Sequence, residues 1–371
     1  MRSSSTSFCV FIVFFALLAV FAVAQINPAP PDAPAKPPVS GSGISVSAIA
    51  LHASFSMDLA SEMGGAFMSP SKCDADGNLY IRKYAIDRPL LSPVAKINAE
   101  GKRTALFDPV AFPQLQLDRA DAFSPDPDGG LYQIAWAGIE KPRIYVIHFS
   151  SDGSPSSPIR LDAEFEPYQF AAFSSGNLLV SGLQRDLGNK ADAGRSFTAV
   201  FSADGRLMAQ LSFEAAPGPG KVSGKAAGKP TVKAAGTDTQ KSAPSLDLSD
   251  AEVGADGNIY ALRRSSPALV YVISPAGKIV STVTVSAPVA GVMPDAFHVS
   301  KNRMATSFWN DDGQSRVIVV SDAQTGQSIG TYSGAAGLGQ SFACYSADDA
   351  VFTFLHLGEK NELEVVRAEA R

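Results

Sequence analysis

Cysteine, histidine and tryptophan are scarce, with three, four and two residues in a chain of 371. The four histidines, His52, His148, His298 and His356, have no close His or Cys partner in the sequence, so no zinc motif is present. Positive charge is also in short supply: Lys and Arg number 31 against 36 Asp and Glu, a net charge of −5. That balance argues against nucleic acid as a partner, which calls for a concentrated basic face. No segment sustains a helical period, and no G-x-S-x-G nucleophile motif occurs. "GAAGLGQS" (Gly334–Ser341) imitates a phosphate loop, but Gln340 stands where lysine is required and a strand-like run follows. "DADGN" (Asp74–Asn78) and "DPDGG" (Asp126–Gly130) lack the third alternating oxygen ligand and distal Glu of a calcium loop. They read as hairpin turns.

One long apolar run is present. Cys9 to Ala24 carries no charge and closes on Ala22-Val23-Ala24, a small-x-small pattern suited to signal peptidase. Its sixteen residues make about 24 Å of helix, short of a bilayer core of about 30 Å. Residues 1–24 are therefore expected to be a cleaved signal peptide, with a retained anchor as the rival, and the product to be secreted or periplasmic with no membrane span. Residues 25–43 are rich in Pro, Ala and Gly and form an expected disordered tether. A globular part of residues 44–371 follows. Within it, residues 216–245 hold five lysines against one aspartate and read as a disordered insert, either a polyanion-contacting arm or a solvated loop.

Glycine turns recur in what remains. "CDADGNLYIR" (Cys73–Arg82) and "GADGNIYALR" (Gly254–Arg263) are nearly the same ten residues. Turns at Gly77, Gly129, Gly176 and Gly257, then near Asn302 and Asp349, recur about every fifty residues once the Lys-rich insert is removed. A second Gly turn follows in five units, at Gly101, Gly153, Gly205, Gly277 and Gly326. Alternating runs between such turns describe four short strands per unit, the pattern of propeller blades. The expected fold is all-β: a six-bladed β-propeller. The last unit has three strands, and the strand-like run Ile44–Met57 supplies its fourth, closing the ring and covering a bare edge.

The unit with Asp256-Gly257-Asn258-Ile259-Tyr260, then Val270-Tyr271-Val272-Ile273 and Pro275-Ala276-Gly277-Lys278, resembles the NHL-type repeat of six-bladed propellers. The resemblance extends over all six units in degenerate form. It implies a fold and no particular activity, since propellers host binding, scaffolding and enzymatic roles alike.

The loops between the second and third strands, and between units, vary in length and gather on one face, which is the expected binding face. Alignment at the end of the second strand places Tyr84, Trp136, Arg264, Trp309 and His356 at equivalent positions. They read either as an aromatic-lined mouth for a ligand or as packing between blades. At the start of the first strand, Asp121, Asp250 and Asp295 fall near the channel. They are either oxygen ligands for Ca²⁺ or acceptors for backbone N–H groups at the repeat corners. Cys73 and Cys344 fall on inner strands of adjacent blades and are a candidate disulfide, although their offsets from the turn differ by one residue. Two functions are consistent with this pattern. The first is a non-catalytic binding or scaffold propeller for a protein, peptide or glycan, with no cofactor. The second is a calcium-dependent hydrolase or lactonase-like enzyme at the channel mouth.

Overall fold

The two near-identical decapeptides fold alike, as hairpin corners. At the first, Asp74 N–H donates to Asn78 O at 3.1 Å and Gly77 N–H to Asp74 O at 3.0 Å. Asp74 Oδ1 accepts the backbone N–H groups of Asp76 and Asn78. At the second, Gly254 and Gly257 repeat the backbone pattern, and Asp256 Oδ1 accepts from Asn258 N–H. Gly77 and Gly257 both sit at φ 78°, a left-handed conformation that costs a residue with a Cβ but not glycine. The Asp-Gly-Asn spelling is thus turn chemistry.

The computed structural model describes residues 48–63, 67–138, 142–162, 165–184, 196–211, 248–288, 292–309, 316–334, 338–339, 341–358 and 362–370, with 68 and 69 described by backbone alone. The expected signal peptide, the tether and the Lys-rich insert lie outside the described residues. No helix among the described residues is long and apolar enough to cross a membrane.

The chain opens with β1 (Ile49–Asp58) and the short helix α1 (Ala60–Met63). Four four-stranded antiparallel sheets follow in chain order. They are β2 (Phe67–Cys73), β3 (Leu79–Lys83), β4 (Val94–Ile97) and β5 (Arg103–Phe107), then β6 (Leu117–Pro125), β7 (Leu131–Ala137), β8 (Arg143–Phe149) and β9 (Ile159–Arg160). The third comprises β10 (Phe165–Ala172), β11 (Leu178–Gln184), β12 (Ser196–Phe201) and β13 (Leu207–Gln210). The fourth comprises β14 (Leu248–Val253), β15 (Ile259–Arg263), β16 (Ala268–Ile273) and β17 (Ile279–Val285). The remaining strands are β18 (Pro294–Ser300), β19 (Arg303–Trp309), β20 (Arg316–Asp322), β21 (Ser328–Gly334), β22 (Ser341–Ser346), β23 (Val351–Leu357) and β24 (Leu363–Ala370).

Here the count departs from six separate sheets. These last seven strands and β1 form a single eight-stranded sheet in the order β18-β19-β20-β21-β1-β24-β23-β22. The physical reason is local. β1 pairs antiparallel with β24 from Leu51↔Ala370 to Asp58↔Glu364, and its first two residues also pair in parallel with β21, Ile49↔Tyr332 and Ala50↔Ser333. One N-terminal strand therefore satisfies backbone groups on two edges that would otherwise be open. The architecture is all-β and propeller-like, with four four-stranded sheets and this eight-stranded one.

Strands β2, β6, β10, β14, β18 and β22 contact one another in a closed cycle, β22 returning to β2. Apolar clusters fill the wedges between consecutive sets of strands. Tyr80, Val94 and Phe107 pack on Phe123, Leu131 and Phe149. Ile134, Trp136 and Val146 pack on Phe165, Phe170 and Phe201. Tyr260, Val270 and Val283 pack on Phe297, Met304 and Phe308. Burying such side chains contributes about 1.5–3 kcal/mol each, so the wedges carry most of the cohesion.

Cys73 on β2 and Cys344 on β22 are joined as a disulfide, with Cα atoms 6.0 Å apart and a sequence separation of 271. Their unequal offsets do not turn the side chains apart. The β2–β3 connection holds five residues, Asp74 to Asn78, whereas the β22–β23 connection holds four, Ala347 to Ala350. Counted along the ladders, Cys73 is the first paired residue (opposite Leu79) and Cys344 the third (opposite Thr353), so both point to one side of their sheets.

Candidate functional site

The innermost strands bring buried charge to the centre of the ring. Lys72 on β2 lies three strands from β14 in either direction round the cycle, yet its Nζ bonds to Asp250 Oδ1 and donates to Ala251 O at 3.1 Å. Glu252 Oε1 lies 3.8 Å from the same ammonium, and Glu252 Oε2 lies 2.9 Å from His298 Nδ1 on β18. Glu252 Oε2 also accepts the Val299 N–H at 2.9 Å. Asp250 and Glu252 are two residues apart on β14 and so share one side of the strand. Burial disfavours the charged form of all three groups, and their mutual fields decide the outcome. Lys72 is held above its ordinary value because Asp250 and Glu252 together outweigh its desolvation. Burial pushes the Asp250 carboxyl up despite Lys72, helped by the like charge of Glu252. Burial also pushes on Glu252, but His298 and Lys72 overcome it and hold that carboxyl below the usual range.

Beside Lys72 a cavity of about 190 Å³ opens between β2, β3, β6 and β10. Its charged lining is Lys72, Arg82, Arg119 and Asp121, and Phe123 and Phe170 are among its apolar walls. Arg82 Nη1 reaches Asp121 Oδ1 at 3.3 Å, and its Nη2 donates to Asp121 O. Arg119 Nε bonds to Asp121 Oδ2, and its Nη1 lies 3.8 Å from Glu166 Oε1. The Arg119 guanidinium lies over the Trp136 ring at 4.7 Å, and that of Arg82 lies 6.0 Å from the Phe123 centroid. Arg119 and Asp121 lie near the start of β6 and Arg82 near the end of β3. The cavity therefore belongs to the face on which the variable loops emerge.

The three aspartates expected as candidate calcium ligands do not share a donor set. Asp121 is clamped by Arg82 and Arg119, Asp250 by Lys72, and Asp295 by Arg316 Nη1 at 2.7 Å. Each carboxylate already has a cation of its own, and among the described residues no three metal-ligating side chains gather. The repeat places aspartate at each of these strand starts, but each meets a different cation instead of a common centre.

The residues expected to line an aromatic mouth also separate. Trp136 is only 5% exposed and packs in the wedge between β7 and β10, with Phe165 and Phe170 in the same cluster. Trp309 is half-buried at the end of β19 under the Arg316 guanidinium, 4.2 Å from its ring. Tyr84 and Arg264 are exposed just beyond β3 and β15, and His356 is half-buried near the end of β23. Equivalent alignment positions lie on different strands round the ring, so they do not meet. What the sequence reading missed are the cations: Lys72, Arg82, Arg119 and Arg316. A charged residue inside an otherwise apolar inner strand, as in "LYIRK" and "PSKC", was the available signal.

The chain matches no family model and no curated protein sequence. Among solved structures it is similar to a luciferin-regenerating enzyme, with 11% identity over 85% of this chain and 95% of that one and a TM-score of 0.48. A TolB protein of Agrobacterium tumefaciens gives 11% identity over 84% and 96% with a TM-score of 0.45, and a protein of Bacteroides caccae gives 14% over 73% and 77% with 0.33. At this distance the site is read from its own residues.

Proposed function

We propose that the protein is an exported, six-bladed propeller that works as a non-catalytic binding module, taking part of a peptide or glycan ligand into the cavity beside Lys72. The closed cycle of six innermost strands supports six blades. On that reading the eight-stranded sheet is two blades joined by the two-residue parallel contact of β1 with β21. The Cys73–Cys344 disulfide supports export, because such bonds persist in oxidising compartments. The observation that carries the binding role is the cavity itself, a concave site with apolar walls and a few convergent polar groups on the variable-loop face.

The buried charges around it are paired with one another, which suits a preformed recognition site. The test is a peptide and glycan array probed with the mature chain and with Ala122→Trp, which fills the cavity. A ligand held by the native chain and released by the variant, at matched melting temperature, supports the role. A ligand held equally by both would place binding elsewhere.

A further inference from the structure

The cavity lining is unbalanced in hydrogen bonding, and that imbalance specifies the ligand. Among the described residues, Asp121 is its only lining carboxylate. Both Asp121 side-chain oxygens are engaged, Oδ1 by Arg82 and Oδ2 by Arg119, and its backbone carbonyl accepts from Arg82 as well. Two guanidiniums thus share the hydrogen bonds of one lining carboxylate. Each carries more N–H donors than these bonds use, in a planar fork matched to a carboxylate. Arg82 is buried, 5% exposed, and its Nε has no hydrogen-bond partner among the described residues. A buried donor left in that state is costly, so the Arg82 guanidinium is short of acceptors. Lys72 does not alter the balance, since Asp250 and Glu252 already neutralise it. The Glu166 carboxylate forms an ion pair with Arg119 at 3.8 Å, too long for a hydrogen bond, so it uses none of that fork's N–H donors. Phe123 and Phe170 offer an apolar wall to whatever body carries the acceptor. At about 190 Å³ the space equals roughly six waters, which limits the occupant to a small group.

Resting on the binding role proposed above, we infer that this cavity recognises a small organic carboxylate, held by Arg82 and Arg119 with its carbon body against Phe123 and Phe170. The carboxylate is supplied either by a free acid or by the terminus of a chain, and the chemistry recognised is the same. Charge-assisted bonds of this kind weaken steeply when the acceptor loses its charge.

The experiment is titration calorimetry on the mature chain with succinate, benzoate and the uncharged benzamide. A short peptide with a free C-terminus and its amidated form are titrated in parallel. Benzoate or succinate is expected to bind at least about tenfold more tightly than benzamide. Arg119→Met, at the rim, is expected to weaken the acid about tenfold while leaving benzamide unchanged. The free-acid and peptide arms tell which source is accepted. Equal binding of benzoate and benzamide, binding indifferent to Arg119→Met, or no carboxylate binding at all would each overturn the inference. An uncharged array ligand that Ala122→Trp releases would overturn it too, and would leave the binding role standing.

Discussion

Lys72 and Asp250 are 178 residues apart in the chain and form a buried ion pair across the centre of the ring. The pair links the inner strands β2 and β14, which are not neighbours round the cycle, so it bridges the ring at that level. Such a pair is weak evidence for net stability, but breaking it is expensive, because the surviving charge stays buried.

Lys72→Met is therefore expected to destabilise the fold by about 3–5 kcal/mol, read from the urea midpoint. Adding Asp250→Leu should recover most of the loss, because that carboxylate is then no longer stranded without its cation. A double variant no more stable than the single would show that the loss came from packing.

Alkaline pH should weaken this centre and the hairpin corner at Asp256 together. Lys72 is raised from its ordinary value, and burial with the Asp256 carboxylate nearby raises Tyr260 to about 12. Both groups keep their protons in the folded chain at pH values where the unfolded chain releases them. Their support is complete below about pH 10, the unfolded values, and is lost as pH rises toward the folded ones. Urea midpoints should fall between pH 10 and 12, and the fall should be shallower in Tyr260→Phe.

The disulfide joins the first and last inner strands, where the ring closes. Its removal in Cys73→Ser with Cys344→Ala should cost about 2–5 kcal/mol. The native chain should lose a similar amount on adding reductant, and the double variant should be insensitive to it. Melting curves with and without dithiothreitol decide the matter.

The two tryptophans should report different environments. Trp136 is enclosed in a wedge and Trp309 is half-buried beneath Arg316. Acrylamide should quench the Trp136→Phe variant, in which Trp309 remains, more strongly than Trp309→Phe. Trp136→Ala should cost about 3–5 kcal/mol, as truncating a buried aromatic does. Equal quenching would contradict the enclosure of Trp136.

Strand pattern and turn positions were legible in the sequence, since each depends on neighbours a few residues away, and the distant partner of the N-terminal strand was legible from the repeat count. The β22–β24 boundaries follow from alternation and turns, and β1 pairs with β24 because the last repeat lacks a strand. The fusion of two strand sets was not legible, because it depends on two backbone pairings, Ile49 with Tyr332 and Ala50 with Ser333, that no side-chain pattern encodes. The geometry at Cys344 was hidden as well, since counting from the turn cannot reveal that one connection is a residue shorter than the other.

The sequence by itself determined an all-β chain of repeated hairpins, because Asp-Gly turns and period-two alternation are local properties of the backbone. Only the tertiary structure decided which cation meets which carboxylate. Closing the ring brings β2 to face β14 and Arg82 of one sheet to Asp121 of the next, and pairing in so confined a space follows distance and desolvation. Asp121, Asp250 and Asp295 look alike in the sequence, and the closed ring gave each a different partner.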